Sequence, residues 1–319
     1  MELKRAFTMV EIIVVIVIMG ILSLGTLVSI KHLYLRAAKT DAINTFSSNS
    51  QIVLNQISML LYNRVATSVI GYNSSSRDFQ SIYNLDNSFT VLEWIGTASE
   101  ALKRRDYSGF MDLDASDKNS RTLVSFDIKA NDLNTTEYDK FGTSYVYSNP
   151  NSGDKNITAL IFAGAFDTGV IDGDFNNSFG WHGHGHNLIY DITKIKDNNI
   201  TLSQKPKEIY EKYYIVDSAY AVARGQDINI STCRAKTDID SDDTLYLFYN
   251  YRPWKGETFC GDKDDNNGTR EGNVTVLSKN VTAFKTGMLN DSIYFELTMS
   301  KKIRGSDNNV TISKQKVVF

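Results

Sequence analysis

The chain has 319 residues, 42% of them hydrophobic and 22% charged, with 3 prolines and 20 glycines; this is globular composition, long enough for one large or two ordinary domains, and it excludes collagen-like, disordered and multi-span membrane proteins. The formal charge of −3 is unevenly placed, residues 1–40 summing to +3 and the remainder to −6. An acidic body with no long basic run lacks the electrostatic footprint that a phosphate backbone requires, so nucleic acid is not expected as a partner.

From Phe7 to Ile30 the chain reads FTMVEIIVVIVIMGILSLGTLVSI, 24 residues with one acid and no base. A helix of that length rises about 36 Å, enough to cross a bilayer core. Lys4 and Arg5 would hold the short end in the cytoplasm, which places everything after Lys31 on the other side. A secretory signal peptide fits poorly, because the apolar run is longer than a signal h-region and no A-x-A-like cleavage site follows it. A plain signal anchor is the remaining alternative. Glu11 separates that anchor from something more specific, since a carboxylate in an apolar run is costly to bury in lipid and marks a functional position.

The segment KRAFTMVEIIVVIVIMGIL resembles the leader and N-terminal helix of type IV pilins and pseudopilins: a short basic leader, a small residue, Phe, a Glu four residues on, then an apolar helix. The resemblance implies that a prepilin peptidase cuts between Ala6 and Phe7 and methylates the new Phe7 amine. It implies that Glu11 neutralises the amine of an adjacent subunit during assembly, and Gly20 matches a glycine usual in these helices. Ala6 stands where Gly is usual, which implies slower processing. Val28 stands where many major pilins carry proline, which implies less melting of the helix there. By the same resemblance the protein is a structural, non-enzymatic subunit that crosses the inner membrane once, with its N-terminus cytoplasmic and its head periplasmic or extracellular. Its partners would be other pilins or pseudopilins, the prepilin peptidase and the inner-membrane assembly platform, and no cofactor is required. The head is large for a major subunit, and the C-terminal run of strands resembles J-type minor pseudopilins or W-type minor pilins. Retention of Glu11 argues against the K-type tip subunit, which usually lacks this acid.

Past the anchor, Ile43, Phe46, Val53, Ile57, Leu60 and Leu61 fall mainly at spacings of three, four and seven, predicting an amphipathic helix with one buried stripe. No Pro or Gly interrupts the chain between Thr26 and Ile70, so anchor and stripe form one helix of about 55 residues, about 80 Å long. The expected organisation is a leader over 1–6, a membrane and assembly helix over 7–30, an amphipathic helix over 31–70, and a head over 71–319. In the head, apolar VLEWI (91–95) precedes a predicted short helix over 99–105. Strands are predicted over 122–128, 144–148, 157–162, 187–193, 213–222, 244–251, 274–277, 281–286, 292–300 and 310–319, from their alternating or β-branched and aromatic composition. One long helix followed by antiparallel strands gives the α+β class.

Cys233 and Cys260 lie in a head that topology places in an oxidising compartment, where an even count favours a disulfide. Closing that loop stabilises by about 3–4 kcal/mol in the chain-entropy model. No local motif makes either thiol a nucleophile. In WHGHGHN, His182, His184 and His186 occupy alternate positions, so in an extended segment the three imidazoles share one side, and Asp172, Asp174 or Asp191 could complete a transition-metal site. The glycine-rich stretch before it favours an exposed loop instead. A calcium alternative lies in GDKDDNNG, with Asp262, Asp264 and Asn266 at alternate positions but without the glycine and terminal glutamate of an EF-hand. DIDSDD (238–243) is similar.

The head also carries 11 N-x-S/T sequons. Eight of them, at Asn134, Asn156, Asn176, Asn199, Asn229, Asn267, Asn273 and Asn309, have Asp or Glu two positions earlier, where the acid content of the chain predicts about 1.3. The remaining three are at Asn73, Asn280 and Asn290. The D/E-x-N-x-S/T pattern resembles the extended sequon of bacterial oligosaccharyltransferases, against the plain alternative that Asp, Asn, Ser and Thr all gather in turns. Two other functional classes stand beside the assembly subunit: a tip adhesin on the same anchor, and a membrane-anchored metal-dependent enzyme using the histidines.

Overall fold

The computed structural model describes residues 8–85, 89–98, 108–126, 158–164, 175–196, 198–228, 233, 239, 241–261, 271–289, 292–303, 305 and 309–319. It is an α+β protein: one long helix packed on antiparallel sheet. Helix α1 runs unbroken over Met9–Tyr62, 54 residues. It stops eight residues short of the expected limit. At Asn63 and Val65 the backbone bonds to a neighbouring strand, Val65 N–H donating to Ile95 O at 2.9 Å and Thr97 N–H to Asn63 O at 2.8 Å.

Fourteen strands follow among the described residues: β1 (Ile70–Asn73), β2 (Asp78–Ser81), β3 (Val91–Thr97), β4 (Ser108–Phe110), β5 (Thr122–Val124), β6 (Ala159–Phe162), β7 (Ile189–Lys196), β8 (Asn199–Leu202), β9 (Lys212–Arg224), β10 (Leu245–Tyr251), β11 (Asn273–Ser278), β12 (Val281–Leu289), β13 (Ser292–Lys302) and β14 (Asn309–Val318). The predicted strands over 122–128, 157–162, 187–193, 213–222 and from 244 onward are present with shifted ends. The VLEWI stretch is itself a strand, and β1, β2, β4 and β8 are short strands that were not anticipated. The predicted helix over 99–105 and strand over 144–148 lie outside the described residues.

The main sheet has eleven strands in the path β2-β1-β3-β9-β6-β7-β8-β5, with β10, β11 and β4 attached beside it. β9 is its axis: β3 and then β4 pair along one edge, β10 and then β6 along the other. A second sheet of three strands has the order β12-β13-β14. The period-two alternation of strand side chains sorts the core into two layers. On one face Leu92 and Trp94 of β3, Val222 of β9 and Leu245 of β10 join Phe46, Val53, Leu54, Ile57 and Leu61 of α1 and Phe295, Leu297 and Met299 of β13. On the other face Val91, Ile95, Ala219, Ala221, Tyr246 and Phe248 pack under Phe179, Trp181, Leu188 and the disulfide. The stripe read from the sequence is thus the seam of α1 with the head, although Ile43 stays 38% exposed.

Candidate functional site

Two regions carry the chemistry singled out by the sequence: the N-terminal half of α1 and the histidine turn. Ala6 and Phe7 lie outside the described residues. Thr8 is the N-cap of α1. Its Oγ1 accepts from Glu11 N–H at 3.4 Å, and its own N–H donates to Glu11 Oε2 at 3.4 Å. This is a reciprocal capping box, spelled T-x-x-E in the sequence at Thr8–Glu11 and not recognised there. It gives Glu11 a second physical role, because a carboxylate in the first helical turn satisfies an orphan N–H and is favoured by the positive end of the helix dipole.

Every large apolar side chain from Met9 to Ile30 is exposed, Val15 the least at 48%. Covering each is worth about 1.5–3 kcal/mol, so this stretch must be clad in lipid or in other helices. The helix is long and apolar enough to cross a membrane by length and composition. Its few polar side chains are satisfied inside it: Ser23 Oγ donates to Met19 O at 2.6 Å, Thr26 Oγ1 to Ser23 O at 2.9 Å and Ser29 Oγ to Gly25 O at 2.9 Å. That arrangement suits a hydrocarbon surrounding, where an unpaired hydroxyl is costly. A Cβ on Gly20 would meet nothing within 4 Å, so this surface is open to close approach.

The histidine segment is not the extended strand that a shared metal face requires. Residues Trp181–Gly183 form a 3-10 turn, with His182 at φ 49° and Gly180 at φ 82°. Gly180 is needed here, since a Cβ would sit 2.6 Å from Pro253 O. The turn drives His182 inward, where it stacks on Tyr72 with ring centroids 3.7 Å apart and places Nε2 2.8 Å from Glu93 Oε1. His184 instead meets Phe79 edge-on. Among the described residues no group of three or more His, Cys, Asp or Glu side chains is placed to hold a metal ion. Asp191 pairs with Lys255 Nζ at 2.9 Å, and Asp172 and Asp174 lie outside the described residues.

Sequence reading missed the partners. Glu93 sits in the middle of an apolar run and is fully buried. Its other oxygen accepts from Tyr251 Oη at 2.7 Å. Tyr251 reaches that face only because β10 bulges at Asn250, which has φ 63° and shifts the pairing register with β9. The bulge reverses the inward–outward alternation, so Tyr251 joins Tyr246 and Phe248 on one face. Burial, with the Glu93 carboxylate beside it, pushes the Tyr251 hydroxyl well above its usual range. Glu93, His182, Tyr72 and Tyr251 thus form a packed polar cluster; a buried charged residue in a central strand was its one legible signal.

Cys233 and Cys260 form a disulfide, with Cα atoms 4.9 Å apart. Of the acid-preceded sequons, Asn176, Asn273 and Asn309 are exposed and Asn199 is partly so, while Asn134, Asn156, Asn229 and Asn267 lie outside the described residues. Among the others, Asn73 accepts from the N–H groups of Ser75 and Ser76, Asn280 occupies a turn at φ 60°, and Asn290 is outside the described residues. The proposed calcium ligands Asp262, Asp264 and Asn266 are also outside. Asp242 and Asp243 lie in a turn, their carbonyls accepting from Gln226 N–H and Val281 N–H.

No curated protein and no solved structure matches the chain. Residues 1–27 match the family described as prokaryotic N-terminal methylation motif. That match covers the leader and Phe7, together with Glu11 and Gly20 in the exposed apolar half of α1. Over this segment the chain carries a prokaryotic N-terminal methylation motif, on the residues that resemble the leader and helix of type IV pilins and pseudopilins.

Proposed function

We propose that this protein is a structural minor pilin or pseudopilin, of J-type or W-type, held in the inner membrane by α1 and drawn into a helical filament by packing of that helix. The observation that carries the reading is the methylation motif set on an apolar helix whose membrane-length half is wholly uncovered while its second half is docked on the head. In this mechanism the prepilin peptidase cuts between Ala6 and Phe7 and methylates the Phe7 amine. The apolar helix then leaves lipid for the filament core. There Glu11 pairs with a neighbouring amine, because a carboxylate left unpaired in that bundle would be costly. The head faces the periplasm or the cell exterior, where the acid-preceded sequons carry glycans.

Mass spectrometry of the membrane fraction tests the reading. A chain beginning at methylated Phe7 is expected, and an intact Met1 terminus in cells with active peptidase would remove it. Glycopeptides should map to the acid-preceded sequons ahead of Asn73, Asn280 and Asn290; unmodified peptides in a strain with a working oligosaccharyltransferase would leave turn composition as the explanation of the pattern.

A further inference from the structure

Beyond the apolar run, α1 carries Lys31, Arg36 and Lys39, with no acid until Asp41. All three are exposed. Lys39 lies two turns before Phe46 on the face that docks on the head, and Lys31 and Arg36 flank it within about a quarter turn. β14 runs alongside the helix with its lower end toward this segment: Lys316 Nζ donates to Asn55 Oδ1 at 2.6 Å and Lys314 Nζ to Ser47 O at 2.7 Å, while a Cβ on Gly305 would lie 3.9 Å from Leu35. Gly305, between β13 and β14, therefore lies beside Leu35, five residues past the end of the apolar run, which is about 7.5 Å along the axis. A headgroup layer is about 5–7 Å thick, so with the apolar run as the bilayer span this end of the head comes to the outer edge of the headgroups. It brings Lys301 and Lys302, both exposed. Lys301 continues the face of β13 that bears Phe295, Leu297 and Met299 toward α1. None of these five side chains makes an ion pair or hydrogen bond among the described residues, and they sit under a body of net negative charge.

We propose that Lys31, Arg36 and Lys39 of α1, with Lys301 and Lys302 of β13, form one basic collar that binds the phosphates of anionic phospholipids in the leaflet from which the head emerges. Two segments remote in sequence supply it, and charge complementarity selects the partner, since each basic side chain at an anionic surface is attracted by about 1 kcal/mol. Basic residues on the translocated side also run against the positive-inside bias, so they stand there at a topological cost. In the cycle the collar would hold the head upright on the membrane and release it when the helix rises into a filament. The proposal rests on the reading of α1 as a membrane anchor.

The experiment reconstitutes the full chain in vesicles of phosphatidylcholine with about one third phosphatidylglycerol. Flotation with the vesicles reports anchoring by itself, and a chain that fails to float would overturn the anchor and the collar together. For the inserted chain, spin-labelled phosphatidylglycerol and phosphatidylcholine report the relative association of each lipid with the protein. A preference of at least about fivefold for phosphatidylglycerol is expected, the weight of one well-placed basic residue, falling with added salt. The variants K31Q/R36Q/K39Q and K301Q/K302Q should each weaken it, with unchanged thermal unfolding because all five positions are exposed. Equal association of the two lipids would overturn the collar, and so would a preference that survives K301Q/K302Q intact.

Discussion

Ile57→Ala isolates the docking of α1 on the head. Ile57 is fully buried and shares its core layer with Trp94, Leu92, Phe295 and Leu297. The substitution removes three carbons, worth about 2.4 kcal/mol at the usual transfer value per buried group. The cavity left between helix and sheet adds to this, so a loss of about 3–4 kcal/mol is expected, within the range seen for such truncations. Ile52 lies on the same helix but is 52% exposed, and Ile52→Ala should cost less than about 1 kcal/mol. The assay is urea unfolding of the full chain in detergent with its disulfide intact, followed by the emission of Trp94, Trp181 and Trp254, all buried in the folded head. The midpoint should drop for Ile57→Ala at unchanged slope, since a smaller slope would mean that the helix detaches before the sheets open. Equal midpoints for the two variants would refute the docked seam and leave α1 a free rod beside an independent head.

Glu11→Gln keeps an oxygen to accept from the Thr8 N–H, whereas Glu11→Ala loses the capping box as well as the charge; both should insert in membrane, and both should lose cross-linking to neighbouring pilins. Wild-type cross-linking of the Gln variant alone would assign Glu11 to capping. Replacing Cys233 and Cys260 together by Ser should lower stability by about 3–4 kcal/mol, read as a lower thermal midpoint that matches that of the reduced wild type; midpoints unaffected by reduction would contradict it. Burial raises the Tyr251 and Tyr190 hydroxyls, so the folded state holds these protons more tightly than the unfolded chain. Their contribution to stability is complete below the ordinary tyrosine pKa of about 10 and is lost as pH rises from there through the raised folded values. Tyr251→Phe should cost about 1–3 kcal/mol at neutral pH, for the bond lost to buried Glu93, yet show a shallower alkaline decline; an identical alkaline slope would count against the assignment.

What the sequence determined by itself is what depends on neighbours along the chain. The membrane-length apolar run is legible because hydropathy is a local property, and the methylation motif because leader, Phe7 and Glu11 stand at fixed spacing. The stripe from Phe46 to Leu61 and most strands followed from periodicity, for the same reason. The tertiary structure decided where long-range pairing competes with local preference. α1 ends at Tyr62 because β3 captures the backbone of residues 63–65, a partner some thirty residues away that no local pattern reveals. The alternate histidines suggested a shared face, but a turn begun at Gly180 against Pro253 sends His182 inward to Glu93. Tyr251 meets that same Glu93 only through a bulge at Asn250. The proposed basic collar likewise depends on the sheet bringing Gly305, just past β13, beside Leu35, since neither Lys31 nor Lys301 carries in its own segment any sign of the other.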